Sequence, residues 1–238
     1  VRLSDFSLVV FDLDDTLYLE RDYARSGFAS VAHWLAAQGR CETNLAQAFG
    51  ARCWALFQAG ERGTIFDRAL SEFRALLGRA EIDELVRVYR EHHPAIRLLP
   101  DAELALQSLA NIGSPVWIVT DGPLESQRRK ITALQLSDRL AGIICTDQWG
   151  REFWKPHRRA FESIEQTTGF YGQDCVYVGD NPQKDFLGPR QLGWATIRIR
   201  RKLGLHAGSE TVLGRDADLQ VTSFTELLEA PVRAVAAA

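Results

Sequence analysis

The strongest constraint on this chain is a run of four apolar residues, Leu8-Val9-Val10-Phe11, that stops abruptly at Asp12-Leu13-Asp14-Asp15-Thr16. A strand with one wet face alternates apolar and polar residues, whereas a strand buried on both faces is apolar throughout. The pattern returns in Val116-Trp117-Ile118-Val119 before Thr120-Asp121-Gly122, in Gly142-Ile143-Ile144-Cys145 before Thr146-Asp147, and in Cys175-Val176-Tyr177-Val178 before Gly179-Asp180. Ala195-Thr196-Ile197 begins a fifth strand, and Asp218-Leu219-Gln220-Val221 reads as a short sixth. Helices are expected between them near residues 101–111, 124–134, 157–168 and 183–191. Pro123 and Pro156 stand just ahead of two of these, where a missing N–H costs least. Strands alternating with helices predict a parallel sheet covered on both faces, an α/β domain. The binding crevice of such a sheet lies beyond the carboxyl ends of its strands.

Between the first two strands the periodicity becomes helical. Phe28, Val31, Ala32 and Leu35 form one stripe, and Phe49, Cys53, Leu56 and Phe57 a second. Phe66, Ala69, Leu70, Phe73, Leu76 and Leu77 form a third, and Ile82, Leu85, Val86 and Tyr89 a fourth. Four amphipathic helices in a row predict a small all-α domain over residues 20–93, inserted into a sheet domain made of residues 1–19 and 94–238. The 238 residues suffice for both.

Composition narrows the partners. With 28 basic and 31 acidic residues the net charge is −3, so neither nucleic acid nor an anionic membrane is an expected partner. The basic runs Arg128-Arg129-Lys130 and Arg198 to Lys202 accordingly read as solvated surface. No apolar run approaches the roughly 18–20 residues that cross a bilayer, and no signal-peptide pattern is visible, which makes the cytoplasm the expected compartment. Cys41, Cys53, Cys145 and Cys175 are scattered without a CxxC, suggesting neither a zinc site nor a disulfide framework. Ala234 to Ala238 read as a frayed end.

Chemistry concentrates at the strand ends. In a parallel sheet Asp12, Asp14, Thr120 and Asp180 all face one crevice. Two acids two residues apart, Asp12 and Asp14, can divide the work of nucleophile and proton carrier. Neighbouring carboxylates repel, so a cation is needed to keep one of them ionised beside an anionic substrate. Asp180 and Asp185 add further carboxylates, and hard oxygens without His or Cys suit Mg²⁺. A hydroxyl from Thr120 and an ammonium from Lys155, in Trp154-Lys155-Pro156, would complete an oxyanion cradle. Any one of these is ordinary: an Asp at a strand end is more often a turn former or helix cap, and a single Lys a solvated one. Their occurrence in order, at three strand ends and one loop, is what carries weight.

The segments Val-Val-Phe-Asp12-Leu-Asp14-Asp15-Thr16-Leu, Ile-Val-Thr120-Asp-Gly, Lys155-Pro and Val-Gly-Asp180-Asn-Pro-Gln-Lys-Asp185 resemble the four signature motifs of the haloacid dehalogenase-like hydrolase superfamily. The match runs from residue 8 to about 200 and places the helical insertion where the phosphatase-rich subfamily carries its helical cap. The resemblance implies a Rossmann-like parallel sheet and a four-helix cap domain. It also implies a Mg²⁺-dependent phosphatase acting on a small phosphorylated metabolite, a sugar phosphate or a nucleotide. By that likeness Asp12 attacks phosphorus, and Asp14 protonates the leaving group and then activates water. Mg²⁺ is held by Asp12, the Asp14 carbonyl and Asp180, with Asp185 in its first or second shell. Thr120 and Lys155 bind the phosphoryl group, as the Asp121 backbone can. Asp15 holds a variable position and receives no chemistry.

Where the family often has Asn-Gly, this chain has Asp121-Gly122. The added carboxylate repels phosphate unless it points away or pairs with a cation; alternatively it accepts a substrate hydroxyl. Dehalogenation is disfavoured, because dehalogenating members lack the second acid supplied here by Asp14. A phosphomutase of the same superfamily remains open, as does a non-turnover phosphoryl-accepting regulatory protein, although typical receivers lack so long a helical insertion. Specificity is expected in the cap. There Arg21 and Arg25 read first as solvated cations and second as anion contacts, Trp34 and Trp54 as cap core, and His92-His93 as a cationic helix end. Oligomeric state is open.

Overall fold

The computed structural model describes residues 1–77, 81–210 and 214–228; the alanine-rich end lies outside the described residues. They form two compact units. Val1–Tyr18, Leu98–Asp121 and Asp138–Ala238 make the first, and Leu19–Arg97 with Gly122–Ser137 make the second.

The first unit is built on six strands: β1 (Leu8–Phe11), β2 (Val116–Thr120), β3 (Gly142–Cys145), β4 (Cys175–Gly179), β5 (Ala195–Ile199) and β6 (Leu219–Val221). All pair in parallel, in the order β3-β2-β1-β4-β5-β6. This is the Rossmann-like α/β sheet that the sequence leads one to expect. β1 sits centrally, with Val10 opposite Trp117 on one side and Tyr177 on the other, which is why all four of its residues are apolar and buried. The strand order reverses between β1 and β4, so a crevice opens above their carboxyl ends. Helices α5 (Pro100–Asn111), α7 (Arg159–Thr168) and α8 (Leu187–Gln191) belong to this unit. Both α7 and α8 start later than expected. The residues ahead of α7 form a turn in which the His157 N–H donates to Trp154 O, and those ahead of α8 a turn closed by the Asp185 N–H on Asn181 O.

Alternate residues of β1 serve the two sheet faces. Leu8 and Val10 join Val119, Ile144, Cys175, Tyr177 and the helix residues Phe161 and Ile164 in one core, while Phe11 meets Phe224 edge-on at 5.3 Å. Phe161 stands edge-on to both Tyr177 (5.0 Å) and Trp194 (5.5 Å).

The second unit contains α1 (Glu20–Ala37), α2 (Thr43–Gln58), α3 (Ile65–Leu77), α4 (Ile82–Glu91) and also α6 (Leu124–Ala133). The sequence places α6 within the sheet-domain span. It packs instead on α4, where Ser126 Oγ donates to Arg90 O (3.3 Å), and the Lys130 ammonium stands 4.4 Å from the Tyr23 ring centroid. Lys130, the last residue of an expected solvated run, is therefore buried. The apolar stripes meet around Phe28, whose ring lies 5.2–6.2 Å from those of Tyr89, Phe66 and Phe57. The side chains of Leu76 and Leu77 lie outside the described residues. Trp54 stacks on Phe57 at 5.5 Å and carries the Arg21 guanidinium at 5.6 Å, so Arg21 packs within the unit. His92 corrects the expected cationic helix end. It is buried, and burial holds its pKa below the ordinary value despite the Tyr89 carbonyl. Its Nδ1–H donates to Tyr89 O (2.6 Å), leaving Nε2 to accept the Ser26 hydroxyl (2.6 Å). Among the described residues no helix is long and apolar enough to cross a membrane.

Phe161 fills the space between β4 and Trp194. Phe161→Ala is therefore expected to destabilise the sheet unit by about 3–5 kcal/mol, measured by denaturant unfolding followed through tryptophan fluorescence.

Candidate active site

The candidate site lies in the sheet unit, at the carboxyl ends of β1, β2 and β4. Asp12 directly follows β1, and its backbone N–H donates to Val178 O on β4 (2.8 Å), continuing the ladder one residue past the strand. Asp180 follows β4. Asp185 sits in the next turn, where its Oδ2 accepts the Asn181 N–H (2.8 Å). Gly179 makes this approach possible, since a Cβ there would lie 2.5 Å from Asp185 Oδ2. The turn thus folds the Asp185 carboxylate back over β4.

Asp12, Asp180 and Asp185 each place a carboxylate oxygen within 4.8 Å of the others, and all three are buried. Lys155 opposes them. Its Nζ lies 2.5 Å from Asp12 Oδ1 and 2.8 Å from Asp185 Oδ1, and donates to the Tyr177 hydroxyl at 2.7 Å. The Asp185 Oδ1 contact has ion-pair distance without hydrogen-bond alignment, so that oxygen is buried and accepts no hydrogen bond. Burial pushes the Asp12 carboxyl up to about 7, against the pull of Lys155 and with help from Asp185. Burial, then Asp185, Asp12 and Asp15, raise Asp180 well above the usual carboxylate range. Burial opposes the charge on Lys155, but Asp12 and Asp185 outweigh it and keep the ammonium protonated.

When all three are ionised, three carboxylates about one ammonium leave two negative charges in excess, the charge of one divalent cation. A buried Asp185 oxygen that accepts no hydrogen bond and an all-oxygen donor set fit Mg²⁺ or a similar hard ion, for which Asp12, Asp180 and Asp185 would be the carboxylate ligands.

Asp14 stands apart from this triad. It bridges to Tyr18, and its carboxylate accepts the Tyr18 hydroxyl, so the second acid is oriented by a buried phenol four residues on. Asp15 adopts φ 51° and is buried, with Oδ2 accepting the Leu205 N–H (2.7 Å). Thr120 ends β2 and is buried; its carbonyl accepts the Thr146 hydroxyl (3.2 Å). Asp121 pairs with cations, as one branch of its sequence reading requires. Oδ1 accepts the Thr146 hydroxyl (2.7 Å) and the Lys155 N–H (3.1 Å), and Oδ2 meets Lys184 Nζ at 3.1 Å. Burial works against its charge, yet Lys155 and Lys184 bring its pKa below the ordinary value.

Thr146, Tyr177, Lys184 and Tyr18 are the residues that sequence reasoning passed over. Lys184 had a usable signal: it lies inside the fourth motif, in a chain with only four lysines (Lys130, Lys155, Lys184 and Lys202). Burial and Lys155 disfavour its charge, but Asp121, Asp12 and Asp185 hold its pKa above the ordinary lysine value.

This arrangement has relatives. Residues 6–193 match the model of a hydrolase family described as haloacid dehalogenase-like hydrolase. The chain belongs to that family. A glyceraldehyde 3-phosphate phosphatase of Methanocaldococcus jannaschii is 26% identical over 227 residues, covering 93% of this chain and 95% of the relative. A phosphoserine phosphatase of Thermus thermophilus is 28% identical over 142 residues, covering 60% and 55%. Among solved structures, a haloacid dehalogenase-like hydrolase of Bacillus subtilis, bound to magnesium, superposes with a TM-score of 0.60 at 17% identity over 93% of this chain and 96% of that one. At that identity the likeness speaks for the fold alone. All four haloacid dehalogenase-like motifs of the sequence lie within the matched span.

A carboxyl whose pKa is raised on folding favours the native state below its ordinary value and loses that contribution as pH rises through its folded value. For Asp12 this window runs from about 3.8 to about 7. Without metal the protein should therefore lose stability between pH 5 and 8. Mg²⁺ at about a hundredfold excess over its Kd should raise Tm by roughly 5–10 °C at pH 8 and by clearly less at pH 5, where protons compete. Scanning calorimetry at the two pH values, with and without Mg²⁺, checks this.

Proposed function

We propose that this hydrolase is a Mg²⁺-dependent phosphatase that cleaves a small phosphate monoester by transferring the phosphoryl group to Asp12. The observation that carries this reading is the Asp12 carboxylate, buried at the end of the central strand and held by Lys155 beside two further carboxylates. Lys155 fixes one oxygen of Asp12 and so aims the other at the incoming phosphorus. The Asp12 carboxylate forms a bond to phosphorus as the ester P–O bond breaks, and Asp14 gives its proton to the departing alkoxide. Asp14, now ionised, takes a proton from the water that attacks the aspartyl-phosphate. Inorganic phosphate leaves and Asp12 is regenerated. Tyr18 donates its hydroxyl to Asp14 and so orients the carboxyl that carries the proton. Asp12, the Asp14 carbonyl and Asp180, with Asp185 beside them, would hold Mg²⁺, whose charge would neutralise the phosphoryl oxygens. Thr120, the Asp121 backbone N–H and the Lys155 ammonium form the cradle for those oxygens, while the Asp121 side chain keeps Lys155 and Lys184 in place.

Two relatives are named for glyceraldehyde 3-phosphate and for phosphoserine, both small phosphate monoesters. Compounds of that size are the first substrates to test.

The test is phosphate release from a panel of phosphorylated metabolites with and without Mg²⁺. Release should require the cation. Asp12→Asn should lower it by roughly a thousandfold or more, and Asp14→Asn by about 10²–10⁴ while leaving cation binding in place. Transfer of the phosphoryl group to a second hydroxyl instead of water would replace this reading with a mutase.

A further inference from the structure

The run Arg198-Ile199-Arg200-Arg201-Lys202 reads in sequence as solvated surface, yet Arg198 is 2% exposed and Arg201 6% exposed. Their guanidinium groups face backbone oxygens. Arg201 donates from Nε (3.1 Å) and Nη2 (2.8 Å) to Thr16 O, and from Nη1 to Asp101 Oδ2 (2.5 Å). Arg198 donates from Nε to Asp180 O (3.3 Å) and from Nη2 to His206 O and Ser209 O (3.0 Å each). Arg200 donates to Ala207 O.

The loop that these arginines fold then reaches back to both motif turns. The Leu205 N–H donates to Asp15 Oδ2. His206 Nε2 lies 3.1 Å from Asn181 Nδ2. The Asn181 amide orientation is fixed because its Oδ1 accepts the Gln183 N–H (3.0 Å), so His206 Nε2 is the acceptor. Gly204 permits the close approach: a Cβ there would stand 3.2 Å from Arg201 Cβ and 3.3 Å from Asp15 Cγ.

We infer that residues 198–209 are a clamp that fixes the turn after β1 against the turn after β4 and thereby sets the affinity of the site for its divalent cation. Arg201 is the principal positioning residue. The inference rests on the reading that Asp12 and Asp180, one from each turn, hold that cation. Affinity for a small hard ion depends on holding its oxygen ligands at fixed separations. A contact set that grips Thr16 O and Asp15 on one side and Asp180 O and Asn181 on the other has that effect without touching the ion. The clamp residues themselves lie beyond the family-matched span, which ends at residue 193.

The experiment is Mn²⁺ binding followed by electron paramagnetic resonance, with Mg²⁺ as competitor, on the full chain. Arg201→Leu should raise the Kd for Mn²⁺ at least tenfold. Asp101 keeps Ser223 Oγ and the Phe224 N–H as donors, so no carboxylate is left bare. Arg201→Lys should recover part of the loss, and Gly204→Ala should weaken binding a few-fold. Ile164→Val, in the core below the sheet, should lower Tm and leave Kd unchanged, separating positioning from general destabilisation. If Arg201→Leu does not fold, Gly204→Ala decides. Wild-type affinity in Gly204→Ala and any folded Arg201 variant overturns the clamp alone. A wild-type chain that binds neither Mn²⁺ nor Mg²⁺ overturns the cation reading and the clamp with it.

Discussion

Carboxylates crowded out of water repel one another, and the core of this fold is arranged so that three of them stay together. Asp12 and Asp180 arrive on adjacent parallel strands, Asp185 on the turn after β4, and the opposing ammonium from Lys155 on a turn after β3. The sheet order makes this possible. With β1 between β2 and β4, the ends of three strands converge on one spot, and segments far apart in sequence meet there. Tyr177 shows how closely core and site are joined. Its ring belongs to the apolar layer against Phe161, while its hydroxyl accepts the Lys155 ammonium. Loosening that layer would therefore disturb the charges above it.

Much of this is legible in sequence because burial on both faces leaves a plain trace. Leu8–Phe11 and Cys175–Val178 are apolar at every position, and a site aspartate follows each within two residues, Asp12 and Asp180. The helix starts of α7 and α8 are less legible, since the turns before them are held by backbone bonds that leave little mark on residue type. Asp12, Asp180 and Asp185 stand in ordered motifs and their carboxylates lie within 4.8 Å of one another, with Lys155 against Asp12 and Asp185. Thr146 and Tyr177 escape notice because a strand-end Thr and a core Tyr are common, and only their partners give them meaning. The placement of α6 on α4 is illegible for a similar reason. An amphipathic helix between two strands shows that one face is covered without showing by what. His92 reads as a cation until the Ser26 hydroxyl and the Tyr89 carbonyl are seen to satisfy both ring nitrogens of a neutral imidazole.

The arginines at the end of β5 and just after it illustrate the opposite error. A cluster of positive charge normally means solvent, and composition favours that reading. Here the guanidinium groups serve as multi-pronged donors to backbone carbonyls, a use that depends on their planar shape as much as on their charge. Such an arrangement gives a loop without regular secondary structure a definite path between Asp15 and Asn181.

Asp121 has a consequence of its own. An asparagine at this position would retain an oxygen for the Thr146 hydroxyl and the Lys155 N–H, but it would bring no charge to Lys184. With aspartate, Lys184 is tethered to the end of β2 by a partly buried ion pair, and the two lysines become fixed points in an alternating lattice of charge. A fixed lattice relaxes little when negative charge moves from one atom to another within it. The reorganisation that water would undergo during such a transfer is thus largely completed in this protein when it folds.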